Sequence, residues 1–297
     1  MKKIIIPLLL LLQISVLAAK PKYITTGFPI YSILIELAGN VADIEYLVPG
    51  GASPHTYQPK PSDASKTQSA TAFFYVSPML DGWAANFPSN HKYCIMDILP
   101  EVFHQYFSEM EHNHSDNANH SESHKNSGQV TDPHFWTDPL TVQALLPALT
   151  ETLCLLDPLN KSEYISNAQI FDKRLQLIHW QIENKLLSAK GKPVFLFHPS
   201  FLYMIHRYGL NFAGVIEIDP GVEPSSKHAY ELVNNIKSTG AKVIFSEPQL
   251  PLGPAKTIAE TAKVKLSLLD PSGGVPGRMN YFELLMFNVS QLEQALK

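Results

Sequence analysis

The residues KSEYISNAQIFDKRLQLIHWQIENKLLSAK, numbered 161–190, contain neither glycine nor proline. Asp157 and Pro158 lie before this stretch and Gly191 follows it, so helix-breaking residues bound it on both sides. Apolar side chains recur within it at helical intervals, at Ile165, Ala168, Phe171, Leu175, Ile178, Ile182 and Leu186. The pattern predicts one helix within 159–191, about 45 Å long at 1.5 Å per residue. A helix of this length is able to connect two lobes stiffly.

Short β-rich runs lie on both sides of the predicted helix. They cover 23–26, 44–48, 73–76 and 93–96 before it, and 194–197, 212–218, 243–246 and 264–269 after it. Each run is followed by a loop and a helical pattern, which is typical of parallel sheets built from βα units. We therefore predict an α/β fold with two lobes, 20–158 and 192–297, each with a central, mostly parallel four-stranded sheet flanked by helices. The length of 297 residues also favours two domains.

The N-terminal residues follow the order of a secretory signal peptide. Lys2 and Lys3 supply positive charge, an apolar run extends to Leu17, and Ala18 and Ala19 offer a small-residue cleavage site. A membrane-spanning helix would need about 20 apolar residues, and this run is shorter. We predict a signal peptide over 1–19, with no cysteine at its end to accept a lipid, and a mature protein in the periplasm.

Composition narrows the class of protein. A content of 45% hydrophobic and 17% charged residues suits a globular chain with large buried sheets, and the net charge of −4 argues against nucleic acid as a partner. The two cysteines, Cys94 and Cys154, either pair in an oxidising compartment or remain free thiols.

The segment 104–128 differs from the rest of the first half because it is rich in His, Ser, Asn and Glu. Such composition predicts a disordered loop. Its closely spaced histidines are His112, His114, His120 and His124. Short His-rich tracts are typical of metal binding, so we predict an auxiliary, low-affinity metal site here, the alternative being a solvated loop.

Four residues with metal-ligating side chains stand at loops where predicted strands end. His55 follows the 44–48 run, His198 follows 194–197 directly, Asp270 ends the 264–269 run, and His134 follows the His-rich tract. Open α/β sheets bind ligands at the carboxyl ends of their strands, so we expect these side chains to meet. Three imidazoles and one carboxylate suit tetrahedral Zn²⁺. Taken singly, each residue is more commonly an ordinary loop or turn residue.

Several motifs occur together and in a fixed order along the chain. They include Gly51-Ala52-Ser53-Pro54-His55-Thr56-Tyr57, Asp132-Pro133-His134-Phe135-Trp136, Phe197-His198-Pro199-Ser200, Ser246-Glu247-Pro248 and Leu269-Asp270-Pro271. In this combination the sequence resembles the zinc- and manganese-type solute-binding proteins of ABC importers, and most closely the zinc-uptake (ZnuA-like) members. The resemblance extends over essentially the whole chain after the signal peptide.

The resemblance implies two α/β lobes joined by one rigid helix, with the metal in the cleft between them. It implies His55, His134 and His198 as ligands, with Asp270 or water in the fourth position. Manganese-type members often have a carboxylate where this chain has His198, and zinc-type members often have a His-rich loop, so zinc is the expected ion. Some zinc-type members have Glu directly before the first histidine, where this chain has Pro54. A monomer that delivers Zn²⁺ to an ABC permease, and not an enzyme, is the implied function.

Three alternatives stay open. A manganese-type binding protein would have the same fold. A secreted zinc hydrolase would use three ligands and an open position, with Glu247 as a candidate base, but neither an HExxH helix nor a nucleophile elbow is present. A metal-binding adhesin or lectin-like surface protein is the third.

Overall fold

The computed structural model describes residues 19–107, 130–218 and 221–297. Residues 1–18 of the predicted signal peptide lie outside the described residues. The same holds for the four histidines of the His-rich tract, His112, His114, His120 and His124.

Two four-stranded sheets are present among the described residues. In the first, β1 (Lys22–Thr25), β2 (Asp43–Tyr46), β3 (Ala72–Tyr75) and β4 (Lys92–Cys94) have the order β2-β1-β3-β4. In the second, β5 (Pro193–Leu196), β6 (Asn211–Val215), β7 (Val243–Ser246) and β8 (Lys265–Leu268) have the order β6-β5-β7-β8. Every strand pair is parallel, which confirms the predicted α/β fold. The largest error is in β6, which ends at Val215 instead of residue 218.

Helices flank both sheets. The helices of the first half are Phe28–Ala38, Pro61–Ser69, Pro78–Asp81, Ile95–Ile98 and Pro139–Leu156. The long helix is Lys161–Leu186. The helices of the second half are Leu202–Arg207, Ser226–Thr239, Leu252–Ala262 and Tyr281–Leu296. Side-chain caps define several of their starts. Asp138 accepts a hydrogen bond from the Leu140 N–H, and Ser225 accepts one from the His228 N–H. Each cap satisfies a backbone donor that the first helical turn leaves unpaired.

The long helix has 26 residues and continues into a short 3-10 turn, Leu187–Ala189. It is about 39 Å long at 1.5 Å per residue, somewhat shorter than predicted because its last turn tightens. It packs against Phe28–Ala38 and Pro139–Leu156 from the first half, and against Tyr281–Leu296 from the second. It therefore makes contact with both halves along its length.

The apolar face of the long helix is largely as the periodicity predicts. Phe171, Leu175, Ile182 and Leu186 are buried completely, whereas Ile165 is 40% exposed. The largest buried cluster includes these residues together with side chains from both sheets, so the two halves share one continuous core. Burying a side chain of this size contributes about 1.5–3 kcal/mol relative to exposure.

One helix among the described residues, Pro139–Leu156, has the length and apolar composition of a membrane span, and half of it is buried. Its buried residues include Val142, Leu145, Leu149 and Leu153. This face packs on the long helix, as expected for a core helix of a globular protein.

Residues 104–107, which we predicted to be disordered, are ordered by several hydrogen bonds. The His104 ring contacts the Met96 and Leu99 carbonyl oxygens, at 3.1 and 3.0 Å. The Gln105 N–H donates to the Tyr203 hydroxyl at 3.0 Å, across the two halves. The prediction was wrong here because composition does not reveal such long-range partners. Cys94 and Cys154 are both free, which agrees with one of the two alternatives.

Candidate metal centre

His55, His134 and His198 meet at one point, and theirs is the one cluster of potential metal ligands within the described ranges. The His134 Nε2 atom lies 3.4 Å from His55 Nε2 and 3.3 Å from His198 Nε2. Two nitrogens bound at about 2.05 Å to a tetrahedral ion lie about 3.3 Å apart. The two Nε2 pairs that include His134 therefore have the spacing of neighbouring nitrogen ligands on a tetrahedral ion.

The three histidines come from three separate segments of the chain, two in the first half and one in the second. His55 lies in the loop 49–57 between β2 and the helix Pro61–Ser69, and His198 follows β5 by two residues. His134 precedes the 3-10 turn Phe135–Thr137 that leads into the helix Pro139–Leu156. His134 and His198 are 3% and 4% exposed, while His55 is only half-buried. Thus only the His55 side of the cluster is open to solvent.

Carboxylates orient two of the three rings. Asp132 Oδ1 lies 2.7 Å from His134 Nδ1 and accepts the His134 backbone N–H at 2.9 Å. Glu247 Oε1 lies 2.7 Å from His198 Nδ1 and accepts the Ser200 hydroxyl at 2.7 Å. A carboxylate on Nδ1 places the proton there and leaves the Nε2 lone pair free toward the cluster.

Burial favours the neutral form of His55 and His134. Desolvation lowers the pKa of His134 well below its ordinary value, and the neighbouring His198 lowers that pKa further. Desolvation likewise lowers the pKa of His55, with further lowering from His198 and His134, while a hydrogen bond with the Met79 backbone opposes the shift. Since a metal ion binds only neutral imidazole, protons compete for these rings at a lower pH than they do for free imidazole.

Asp132 shows the opposite shift. Complete burial raises the pKa of its carboxyl to about 7, and the hydrogen bond from the His134 backbone opposes that rise. Its second oxygen, Oδ2, is buried without a hydrogen-bond partner. A cation bound by the adjacent His134 would favour the ionised form of this carboxyl.

Asp270, the predicted fourth ligand, is not part of the cluster. Its Oδ1 accepts hydrogen bonds from Gln249 Nε2 at 2.7 Å and from the backbone N–H groups of Ser272 and Gly273 at 3.0 and 2.9 Å. Its Oδ2 lies 2.9 Å from Nε of Arg278. These contacts organise the loop after β8, and the role of Asp270 as a ligand stays a prediction.

Asp132 and its contact with His134 were missed at the sequence level. The signal was present, because Asp132 opens the quoted Asp-Pro-His motif two residues before His134. At the sequence level Glu247 was considered as a candidate base for hydrolysis, and its contact with His198 was missed. Glu247 follows β7, which is the neighbour of β5 in the sheet, so the strand-end rule that selected His198 also selects Glu247.

Hydrogen bonds join the two halves beside the cluster. The Trp136 indole N–H donates to the Pro271 carbonyl at 2.8 Å, and the Tyr281 hydroxyl donates to the Trp136 carbonyl at 2.9 Å. Arg207 forms an ion pair with Asp138 at 2.8 Å, the aspartate being fully buried. The segment bearing His134 is therefore anchored to the second half.

A family model decides the classification. The model of ZnuA, described as the periplasmic component A of a zinc-uptake complex, matches residues 24–295. The chain belongs to the ZnuA family. The match includes all three clustered histidines and both sheets apart from the start of β1, so family membership applies to the whole of the fold described above.

Curated relatives of the ZnuA family extend this result. The chain is 28% identical to the zinc-binding protein AdcA of Streptococcus pyogenes serotype M3 over 287 residues, covering 92% of this chain and 55% of AdcA. It is 26% identical to the high-affinity zinc uptake system protein ZnuA of Yersinia pestis over 294 residues, covering 94% of this chain and 92% of that protein. The chain thus spans about half the length of the streptococcal relative and nearly all of the Yersinia one.

Solved structures share the fold. A Zn(II)-bound mutant variant of AdcAII from Streptococcus pneumoniae superposes with a TM-score of 0.78 at 26% identity, covering 94% of this chain and 99% of that one. The laminin-binding protein Lmb of Streptococcus agalactiae, described as having adhesin and metal-transporting activity, gives 0.76 at 25%, covering 94% and 100%. TroA of Treponema pallidum gives 0.80 at 19% identity, with coverage of 94% and 99%, which shows the likeness of fold alone.

Proposed function

We propose that this protein binds Zn²⁺ through His55, His134 and His198 in a cleft between its two lobes, and delivers the ion to the permease of an ABC importer. The observation that carries the proposal is the distance from His134 Nε2 to the Nε2 atoms of His55 and His198, 3.4 and 3.3 Å, which fits tetrahedral Zn–N geometry. Water or Asp270 completes the coordination. We further propose that the protein works in the periplasm as a monomer, after removal of residues 1–19.

Zinc is favoured over manganese by the ligand chemistry. Imidazole nitrogen suits Zn²⁺, whereas Mn²⁺ prefers carboxylate and water oxygens. In this cluster the carboxylates of Asp132 and Glu247 contact the far sides of the rings, at Nδ1, so their oxygens support the ligands. Tight binding by neutral nitrogen donors is therefore the expected property of the site.

Capture is favoured over hydrolysis by the contacts of Glu247. A hydrolase would need a general base free to activate a metal-bound water. Glu247 Oε1 instead accepts from Ser200 and contacts His198 Nδ1, and the residue is 4% exposed. Its contacts make it a support for a ligand.

The test compares variants of the three histidines with a matched control. Kd for Zn²⁺ is measured by chelator competition for His55→Ala, His134→Ala and His198→Ala, together with Mn²⁺ titrations of the unaltered protein. The control is His91→Ala, because His91 is exposed in the loop before β4 and lies outside the cluster. Each ligand variant is expected to lose at least about 100-fold in zinc affinity, and the control to lose none. The proposal is contradicted if the unaltered protein binds Mn²⁺ more tightly than Zn²⁺. It is also contradicted if zinc affinity falls in His91→Ala but not in the three ligand variants.

Adhesion is the second candidate, since the S. agalactiae neighbour is described as combining it with metal transport. Binding of the zinc-loaded protein to immobilised laminin, with serum albumin as the control surface, tests it. Saturable binding to laminin, without binding to albumin, would support adhesion as a function in addition to zinc capture.

A further inference from the structure

His55 differs from the other two clustered histidines in the way its ring is fixed. His134 and His198 each have a carboxylate within 2.7 Å of Nδ1. Among the described residues, no carboxylate hydrogen-bonds the His55 ring, whose supporting contact is with the Met79 backbone. The loop 49–57 that carries it has no regular secondary structure. The position of the His55 ring therefore depends on the Met79 contact and on what holds this loop.

Trp83 contacts the loop on both sides of His55. Its indole N–H donates to the Pro54 carbonyl oxygen at 3.1 Å, one residue before the histidine. Its ring packs against Tyr57, two residues after the histidine, with centroids 5.3 Å apart. One side chain thus holds both flanks of the ligand.

Trp83 is well placed to act as a fixed support. It lies in the 3-10 turn Gly82–Asn86, where its ring also packs edge-on against Phe87 at 5.4 Å. Both rings pack on a buried cluster of the first sheet that includes Ile24 and Phe73. Trp83 is partly buried, and these ring contacts together with its hydrogen bond restrict its rotamer.

The two ends of the loop are held independently. A Cβ added at Gly50 would lie 2.2 Å from the Gly274 carbonyl oxygen, so the backbones approach each other closely there and only glycine fits. At the other end, the Tyr57 hydroxyl donates to Asp63 Oδ2 at 2.9 Å, and that aspartate also accepts the Lys60 N–H. Between these ends, Trp83 donates a hydrogen bond to the backbone of Pro54, the residue directly before His55.

We propose that Trp83 is a positioning residue of the metal site, which holds His55 at ligand distance through the Pro54 carbonyl and the Tyr57 ring. This inference rests on the ligand role of His55 in the proposed function. Outer contacts that orient a ligand are typically worth 10–100-fold in metal affinity. Because His55 is the half-buried ligand, weakening its support raises the rate at which zinc dissociates.

The test removes the indole N–H while keeping an aromatic ring. Kd and the dissociation rate of Zn²⁺ are measured for Trp83→Phe, with Trp180→Phe as the matched control, since Trp180 is 54% exposed on the long helix. Trp83→Phe is expected to weaken zinc binding about tenfold, mainly through faster dissociation. The control is expected to equal the unaltered protein. An unchanged Kd in Trp83→Phe overturns the inference.

A double-variant cycle separates positioning from a general loss of stability. If Trp83 acts through His55, Trp83→Phe has no further effect on zinc affinity in a His55→Ala background. Equal weakening in both backgrounds overturns the inference while leaving the proposed function intact. If His55→Ala itself leaves zinc affinity unchanged, the ligand assignment fails and the inference fails with it.

A second variant guards against misfolding of the first. Tyr57→Phe removes the hydrogen bond to Asp63 and keeps the ring against Trp83. Because both contacts of Trp83 with the loop remain, it is expected to weaken zinc binding less than Trp83→Phe does. A larger loss in Tyr57→Phe would contradict the inference. The absorption of the Co²⁺-loaded proteins reports the ligand field directly, and a Trp83→Phe spectrum identical to that of the unaltered protein contradicts the inference.

Discussion

At the scale of single residues, buried charge distinguishes Asp270 from the three histidines. The Asp270 carboxylate is fully buried beside Arg278, whose side chain is 15% exposed. The same carboxylate accepts two backbone N–H groups of the loop that follows. Breaking such a pair leaves an uncompensated charge in a region with little water, which is costly whatever the metal does.

We therefore predict that Asp270→Asn lowers the free energy of unfolding of the metal-free protein by about 3 kcal/mol. Urea denaturation followed by circular dichroism measures it. Asp43→Asn is the matched control, because Asp43 is exposed at the start of β2. If Asp270→Asn unfolds like the unaltered protein but binds zinc much more weakly, the carboxylate serves as a ligand and not as a structural partner.

At the scale of elements, the long helix provides the strongest coupling between the halves. Phe171 is fully buried and packs edge-on against Tyr281 and Phe282 of the last helix, with centroids at 5.9 and 5.7 Å. Leu177 lies on the same helix but is 54% exposed. Substituting each residue separately tests whether only the buried face of the long helix couples the two halves.

Phe171→Ala is expected to destabilise the protein by about 3–5 kcal/mol, because it leaves a cavity in the shared core. Leu177→Ala is expected to change stability by less than about 0.5 kcal/mol. Calorimetry should show one unfolding transition in both variants. Two separate transitions would contradict a continuous core.

Local sequence patterns predicted most of the helices and strands. The features that they did not predict depend on contacts between residues far apart in the chain. The apolar spacing of 161–190 predicted the helix, and the β-rich runs predicted the eight strands of the described residues, since both depend on neighbouring residues. Three of the four chosen residues meet, and the strand-end rule accounts for His55 and His198, whereas His134 directly precedes a 3-10 turn. The rule could not show that Asp270 faces Arg278, because that pairing depends on the path of the loop between them. The order of residues 104–107 likewise depends on Tyr203, far along the chain.

At the scale of the whole molecule, the contacts between the halves predict how far they move. The shared core and the Trp136–Pro271 and Tyr281–Trp136 hydrogen bonds join both halves beside the histidine cluster. Wide hinge closure would require these contacts to break. Local adjustment of the loop that carries His55 would leave them intact, and it is the smaller structural change.

We therefore predict that the radius of gyration, about 19 Å for a compact chain of this size, changes by less than about 1 Å when zinc binds. Small-angle X-ray scattering of the metal-free and zinc-loaded protein measures it. Trp136→Phe, which removes the hydrogen bond to Pro271, serves as a loosened comparison and should show the larger change of the two. A contraction of several ångströms in the unaltered protein would mean that the halves separate without metal, because loop movement alone displaces too little mass to alter the radius that much.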